Sequence, residues 1–270
     1  MDPAGRRSDR SGGGHVRLDR ALADQGLARS RAAAAALIRA GRVRVGDRVV
    51  ERPSTVVTSA DVIQVDQDPY VSRAAHKLAG VLDELGLDLS GLRALDAGAS
   101  TGGFTQVLLR AGCREVVAVD VGHGQLADEV RADPRVRTYE HLNVRDLALT
   151  HVDDRPVDLV VADLSFISLT VVLPALVGVV DPEGSLLLMV KPQFEVGRER
   201  LGDGGVVRSP GLHADAVTGV LSAAEPLGWS AQAVVPSRLP GPSGNREFFV
   251  HLARRPPVAP VDVAASVGIG

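Results

Sequence analysis

Leu95-Asp96-Ala97-Gly98-Ala99-Ser100-Thr101-Gly102-Gly103-Phe104 runs from an apolar strand into a glycine-rich turn and on into a helix. Glycines at such a turn let a ligand approach the backbone, and the helix N-terminus beyond it supplies unpaired N–H donors. The spacing is not the G-x-G-x-x-G of a dinucleotide site, because three residues separate Gly98 from Gly102. Asp96, just inside the strand end, would repel a pyrophosphate. It suits the cationic methionine end of S-adenosyl-L-methionine.

Outward from this turn the chain alternates helices and apolar strands. Helices are predicted at 72–86, 103–112, 123–132 and 167–179, and strands near 93–97, 115–120, 135–139, 157–162 and 185–190. That alternation predicts an α/β fold, a parallel sheet covered on both faces. A glycine-rich loop at 202–206 precedes a helix near 211–227. Strands at 229–235 and 246–252 follow, joined by Pro240–Asn245, and are expected to form an antiparallel pair at the sheet edge. Asp120 closes the second strand, where a carboxylate can accept ribose hydroxyls. Asn143 and Asp146, after the third, are expected at the adenine. The expected cofactor site is therefore Asp96, Gly98, Ser100, Thr101, Gly102, Gly103, Phe104, Asp120, Asn143 and Asp146.

Cation usage marks a second set. Of thirty Lys and Arg residues only Lys77 and Lys191 are lysine. Either mutational chance explains that bias, or both positions call for a compact ammonium that can give up a proton, which guanidinium cannot do. Asp163 ends the fourth strand and Lys191 the fifth, so both reach the carboxyl edge where open α/β sheets bind ligands. Glu247 opens an antiparallel strand and Lys77 lies near the start of the helix before the first strand, so both come to that same edge. Two amines and two acids gathered there could deprotonate a hydroxyl: Lys191 as base, Asp163 and Glu247 orienting the lysines, Lys77 holding the hydroxyl.

The amino-terminal end differs in charge. Residues 1–60 hold twelve Arg against six Asp or Glu, whereas the whole chain carries −3. A basic end on an acidic body points to a polyanionic partner. Two short helices, Leu18–Gln25 and Arg31–Ala40, precede alternating Val43 and Val45, a Gly46-Asp47 turn, Val49-Val50 and a strand at Val62–Val65. The expected organisation is a disordered extension at 1–15, a small basic domain at 16–66, a linker at 67–71, the α/β domain at 72–254 and a disordered tail at 255–270.

Several classes are disfavoured. A single cysteine, Cys113, allows no internal disulfide framework and fits a reducing cytosol. The seven histidines are scattered, so no metal site is expected. Met1–Gly14 is polar and unlike a signal peptide, and the most hydrophobic run, Val171–Val180, is too short for a membrane span. A cytoplasmic monomer without membrane contact is expected.

These motifs resemble the FtsJ-like ribose 2′-O-methyltransferases, whose Lys-Asp-Lys-Glu tetrad corresponds to Lys77, Asp163, Lys191 and Glu247. The TlyA family within them is closer still. Val71–Leu78, Leu95–Phe104, Ala162–Ser168, Val190–Val196 and Pro240–Asn245 look like that family almost residue for residue, and the resemblance covers about 16–253. It implies a Rossmann-like methyltransferase domain behind an S4-type RNA-binding domain, whose pattern is matched by Arg17-Leu18-Asp19, Gly26–Arg31 and Gly41–Val45. Arg17, Arg20, Arg29, Arg31, Arg39, Arg42 and Arg44 would then meet phosphates of ribosomal RNA or ribosomal subunits, giving affinity and register. The resemblance also implies 2′-O-methylation of cytidine in both 16S and 23S RNA, with loss conferring capreomycin resistance. Asp68 departs from the arginine that opens the linker tetrapeptide of some members. A non-catalytic RNA-binding protein and a haemolysin are the alternatives.

Overall fold

The computed structural model describes residues 15–66 and 68–269. Its contacts divide the chain between Pro69 and Tyr70 into two units. The extension expected at 1–15 lies, apart from His15, outside the described residues, as do Gln67 and Gly270.

The first unit contains β1 (Val16–Arg17), α1 (Leu18–Asp24), α2 (Arg31–Arg39), β2 (Val43–Val45), β3 (Arg48–Val49), β4 (Val56–Val57) and β5 (Ile63–Val65). Ser30 starts α2 by accepting a hydrogen bond from the Ala33 N–H at 3.2 Å. Leu18, Leu22, Ile38, Val43 and Val57 bury the shared core. β2 pairs antiparallel with β3 and β5, and β1 with β4. The β1–β4 pair was not expected, since two-residue strands carry no periodic signal.

The second unit runs α3 (Ala74–Leu85), β6 (Arg93–Ala97), α4 (Gly103–Arg110), β7 (Glu115–Val119), α5 (Asp128–Arg131), β8 (Val136–Tyr139), β9 (Val157–Ala162), α6 (Leu169–Val177), β10 (Val180–Val190), α7 (Pro192–Glu195), α8 (Pro210–Ala224), β11 (Ser230–Pro236), β12 (Phe248–Ala253) and α9 (Val263–Val267). The strands form one sheet in the order β11-β12-β10-β9-β6-β7-β8. The five from β10 to β8 are parallel, and β12 runs against both β10 and β11. Both faces are buried. Leu95, Val160, Leu188 and Val250 pack under α6 and α8, while Ala94, Val161, Met189 and Phe249 pack under α3 and α4.

Two expectations needed correction. The helix expected over 123–132 is only the four residues of α5. Gly124 takes a left-handed φ of 65°, and the Gly122 N–H turns back to donate to Asp120 Oδ1 at 2.6 Å, so the loop is committed to the strand end rather than to a helix. The tail expected to be disordered carries α9. Asp262 Oδ1 caps it through the Ala265 N–H at 2.9 Å, and Val267 is fully buried against the core. Its Pro, Ala and Val content is apolar enough to bury, and burial outweighed a composition that resembles a linker.

Candidate active site

Strand parity decides what meets at the carboxyl edge. Successive side chains alternate between faces, so residues two beyond Ala94, Val161 and Met189 share the face covered by α3 and α4. Those residues are Asp96, Asp163 and Lys191. Glu247, two before Phe249, joins them. The strands that carry these residues are neighbours in the order β12, β10, β9, β6, and register aligns Val190 with Phe248 and Ala162 with Ala97. Across the top lies α3, whose first turns bring Lys77 down onto the row.

Two ion pairs result. Lys77 Nζ lies 2.5 Å from Glu247 Oε2, both buried. Lys191 Nζ lies 2.7 Å from Asp163 Oδ1 and donates to Ser165 Oγ at 2.9 Å. Lys77, Asp163 and Lys191 line one cavity of about 260 Å³, together with Ser72, Arg73, Gly98, Ser100, Thr101, Gly103 and Phe104. Glu247 stands behind Lys77, outside that lining. The Gly241 backbone closes over it: a Cβ there would stand 2.5 Å from Glu247 Oε1.

A second cavity of about 520 Å³ shares Gly98, Ser100, Asp163 and Ser165 and extends to Asp120, Gln125, Leu142, Asn143, Arg145 and Phe166. Asp120 accepts from the Ser100 N–H at 2.8 Å, which locks the glycine turn to the second strand. Both cavities fit parts of S-adenosylmethionine. The larger has a carboxylate at a strand end beside an apolar wall, as a nucleoside requires. The smaller opens on the α4 N-terminus.

Three of the ten expected cofactor residues line neither cavity. Asp96 is completely buried and accepts from Thr105 Oγ1 at 2.6 Å, tying α4 to β6. Burial, opposed by that hydrogen bond and reinforced by the negative charge of Asp163, pushes its carboxyl up to about 7. Gly102 has a φ of 92°, and a Cβ would meet Leu126 at 2.8 Å; it serves the packing of the turn. Asp146 is exposed beyond Arg145. Asn143 lines the cavity, with its Oδ1 taken by the Arg145 N–H at 3.0 Å. Gln125, Ser165 and Phe166 were missed. Each lies in a loop whose composition is unremarkable in sequence, although Phe166 is 91% exposed at a positive φ of 65°.

In the first unit, Arg17 and Arg31 converge on the buried carboxylate of Asp19, which the Arg17 guanidinium above all holds down at about 2. Arg20 pairs with Asp24, Arg42 with Asp66 and Asp68, and Arg44 reaches the Asp47 carbonyl. Arg29 and Arg39 make no ion pair among the described residues.

Residues 70–254 match the FtsJ-like methyltransferases and residues 16–63 the S4 domains. The chain belongs to the FtsJ-like methyltransferase family. It is 51% identical over 240 residues to the 16S/23S rRNA (cytidine-2′-O)-methyltransferase TlyA of Mycobacterium tuberculosis, covering 88% of this chain and 89% of that one. Hemolysin A of Brachyspira hyodysenteriae is 34% identical over 87% of this chain and 99% of its own. A solved Streptococcus thermophilus structure, described as a candidate hemolysin, superposes with a TM-score of 0.72 at 32% identity, covering 95% of each chain. As an FtsJ-like enzyme the chain is a methyltransferase, with the mostly parallel sheet that the alternation predicted. Among the described residues, no helix is long and apolar enough to cross a membrane.

Proposed function

We propose that this chain transfers a methyl group from S-adenosylmethionine to the 2′-hydroxyl of cytidine in 16S and 23S ribosomal RNA. The observation that carries this reading is the pair of lysine–carboxylate contacts, Lys77–Glu247 and Lys191–Asp163, gathered beside a nucleoside-sized cavity. The 51% identity to a protein named for that reaction supports it. A ribosomal substrate implies a cytoplasmic site of action.

Each residue has a task. Bound S-adenosylmethionine supplies an electrophilic methyl group whose departure leaves a neutral thioether. The Gly98–Phe104 turn and Asp120 hold the cofactor. The 2′-hydroxyl is a poor nucleophile until its proton moves, and Lys191 Nζ takes that proton as the oxygen gains the methyl group. Asp163 draws Lys191 by its charge and then faces the ammonium that forms. Glu247 fixes Lys77, which holds the hydroxyl oxygen. The arginines of the first unit contact phosphates and set register rather than reading bases.

Mass mapping of ribosomal RNA from cells with and without the gene tests this. One 2′-O-methylcytidine should vanish from each subunit RNA in the deletion and return with the wild-type gene. Unchanged methylation in both RNAs would sink the reading.

A further inference from the structure

Ser165 sits two residues beyond Asp163 on the loop after β9, and it lines both cavities. Its hydroxyl accepts a hydrogen bond from Lys191 Nζ at 2.9 Å. The approach of Nζ to Asp163 Oδ1 is shorter, 2.7 Å, yet it is off-axis and leaves Oδ1 without an aligned donor. Coulomb attraction tolerates such misalignment, whereas a hydrogen bond weakens steeply with angle. The carboxylate therefore supplies charge without direction, and the serine supplies direction.

We propose that Ser165 is a positioning residue for Lys191, the fifth member of the Lys77–Glu247 and Asp163–Lys191 constellation. The inference rests on the function proposed above. A neutral amine has two N–H groups and one lone pair. With one N–H committed to Ser165 and the other drawn toward Asp163, the lone pair is left facing the cavity where the ribose hydroxyl must come. Without the serine the amine can rotate about its carbon–nitrogen bond, and its lone pair loses that heading. The proton moves from the 2′-oxygen to Nζ in either case; what changes is how often the amine is aligned to receive it.

A purely structural role fits less well. Ser165 is exposed, and the helix that follows is capped by Ser168, not by Ser165. Among the described residues, its hydroxyl makes no hydrogen bond other than that to Lys191.

The experiment compares Ser165→Ala and Ser165→Thr with the wild-type chain on ribosomal subunits, with S-adenosylmethionine affinity measured separately by calorimetry. Ser165→Ala should lower kcat about tenfold or more. Its KM for RNA and its Kd for the cofactor should both stay within about twofold. Ser165→Thr, which keeps the hydroxyl, should recover most of the lost kcat. Ser165→Ala at the wild-type rate, a loss confined to KM or cofactor Kd, or a threonine variant no better than alanine would each overturn the role. A wild-type chain that methylates no ribosomal RNA overturns the proposed function, whereas an active wild type matched by Ser165→Ala overturns Ser165 alone.

Discussion

The sheet carries an ionic cluster at each end, and the two are built differently. At the amino edge, Arg93 opens β6 and is 1% exposed. It donates to the Arg155 carbonyl at 2.5 Å and to Glu115 at 3.1 Å, and it stands 3.5 Å from Asp153. Arg137 and Arg155 join the same two carboxylates. At the carboxyl edge the ion-paired cations are the chain's two lysines, and their acids, Asp163 after β9 and Glu247 before β12, flank the strand that leads into Lys191. Guanidinium binds several acceptors at fixed angles and keeps its charge, so it saturates a structural network. Ammonium makes a compact, adjustable contact and can lose its proton, so it belongs where a proton has to move. Placement of charge is thus similar at both ends, and the choice of cation suits a scaffold at one and the proposed chemistry at the other.

That contrast breaks if the two edges respond alike to loss of their cations. Lys191→Ala should lower methyl transfer by about 10³-fold, measured as label transferred to ribosomal subunits, while calorimetry finds cofactor binding and melting little changed. Arg93→Met should do the reverse. It removes the buried member of a network and should cost about 3 kcal/mol, which lowers the melting midpoint by roughly 10 °C and leaves the activity of the folded fraction intact. A Lys191→Ala protein that melts as early as Arg93→Met would erase the distinction.

β6 runs from one cluster to the other, with Arg93 at its start and Asp96 near its end. Asp96 sharpens the comparison through pH. Its carboxyl is raised to about 7 from an unfolded value of about 4, so between those values the folded chain binds more protons than the unfolded one. Its stability contribution is full below about pH 4 and is lost as pH rises toward 7. Asp96→Asn, which mimics the neutral acid, should flatten the urea midpoint over that range. A variant whose midpoint still falls as steeply between pH 4 and 7 would show that Asp96 is not the group responsible.

The smallest expected effect lies in the first unit. Arg29→Ala combined with Arg39→Ala removes two cations that no carboxylate engages among the described residues. The salt dependence of ribosomal RNA binding should become shallower by about two in log–log slope. Arg20→Ala, whose guanidinium is shared with Asp24, should change it less. Equal changes would mean that the internal pairs open on binding.

Much of the site was legible in the chain, for identifiable reasons. Thirty cations with two lysines is a compositional signal that needs no coordinates. The strand-end positions of Asp163 and Lys191 follow from hydrophobic runs that stop there, and parity from Met189 and Phe249 could even have told which face Lys191 and Glu247 share. Ser165 and Phe166 fall inside the family-like stretch Ala162–Ser168, yet neither they nor Gln125 stand out by pattern, because loop residues carry no period. Asp96 lies away from both cavities for the opposite reason. The turn motif named it, but strand alternation aims it beneath Thr105 and into the core.

By itself, the sequence determined the alternation of strands and helices, the basic amino-terminal unit, and the four charged residues delivered to one edge. Those follow from local periodicity and from where each apolar run ends, which depend on neighbours in the chain. Tertiary structure alone decided how the four divide into pairs, that Asp96 is sealed away, that α9 packs against the core, and that a serine aligns Lys191. These depend on distances of a few tenths of an ångström between residues far apart in sequence, and only the packed sheet with α3 laid across it sets them.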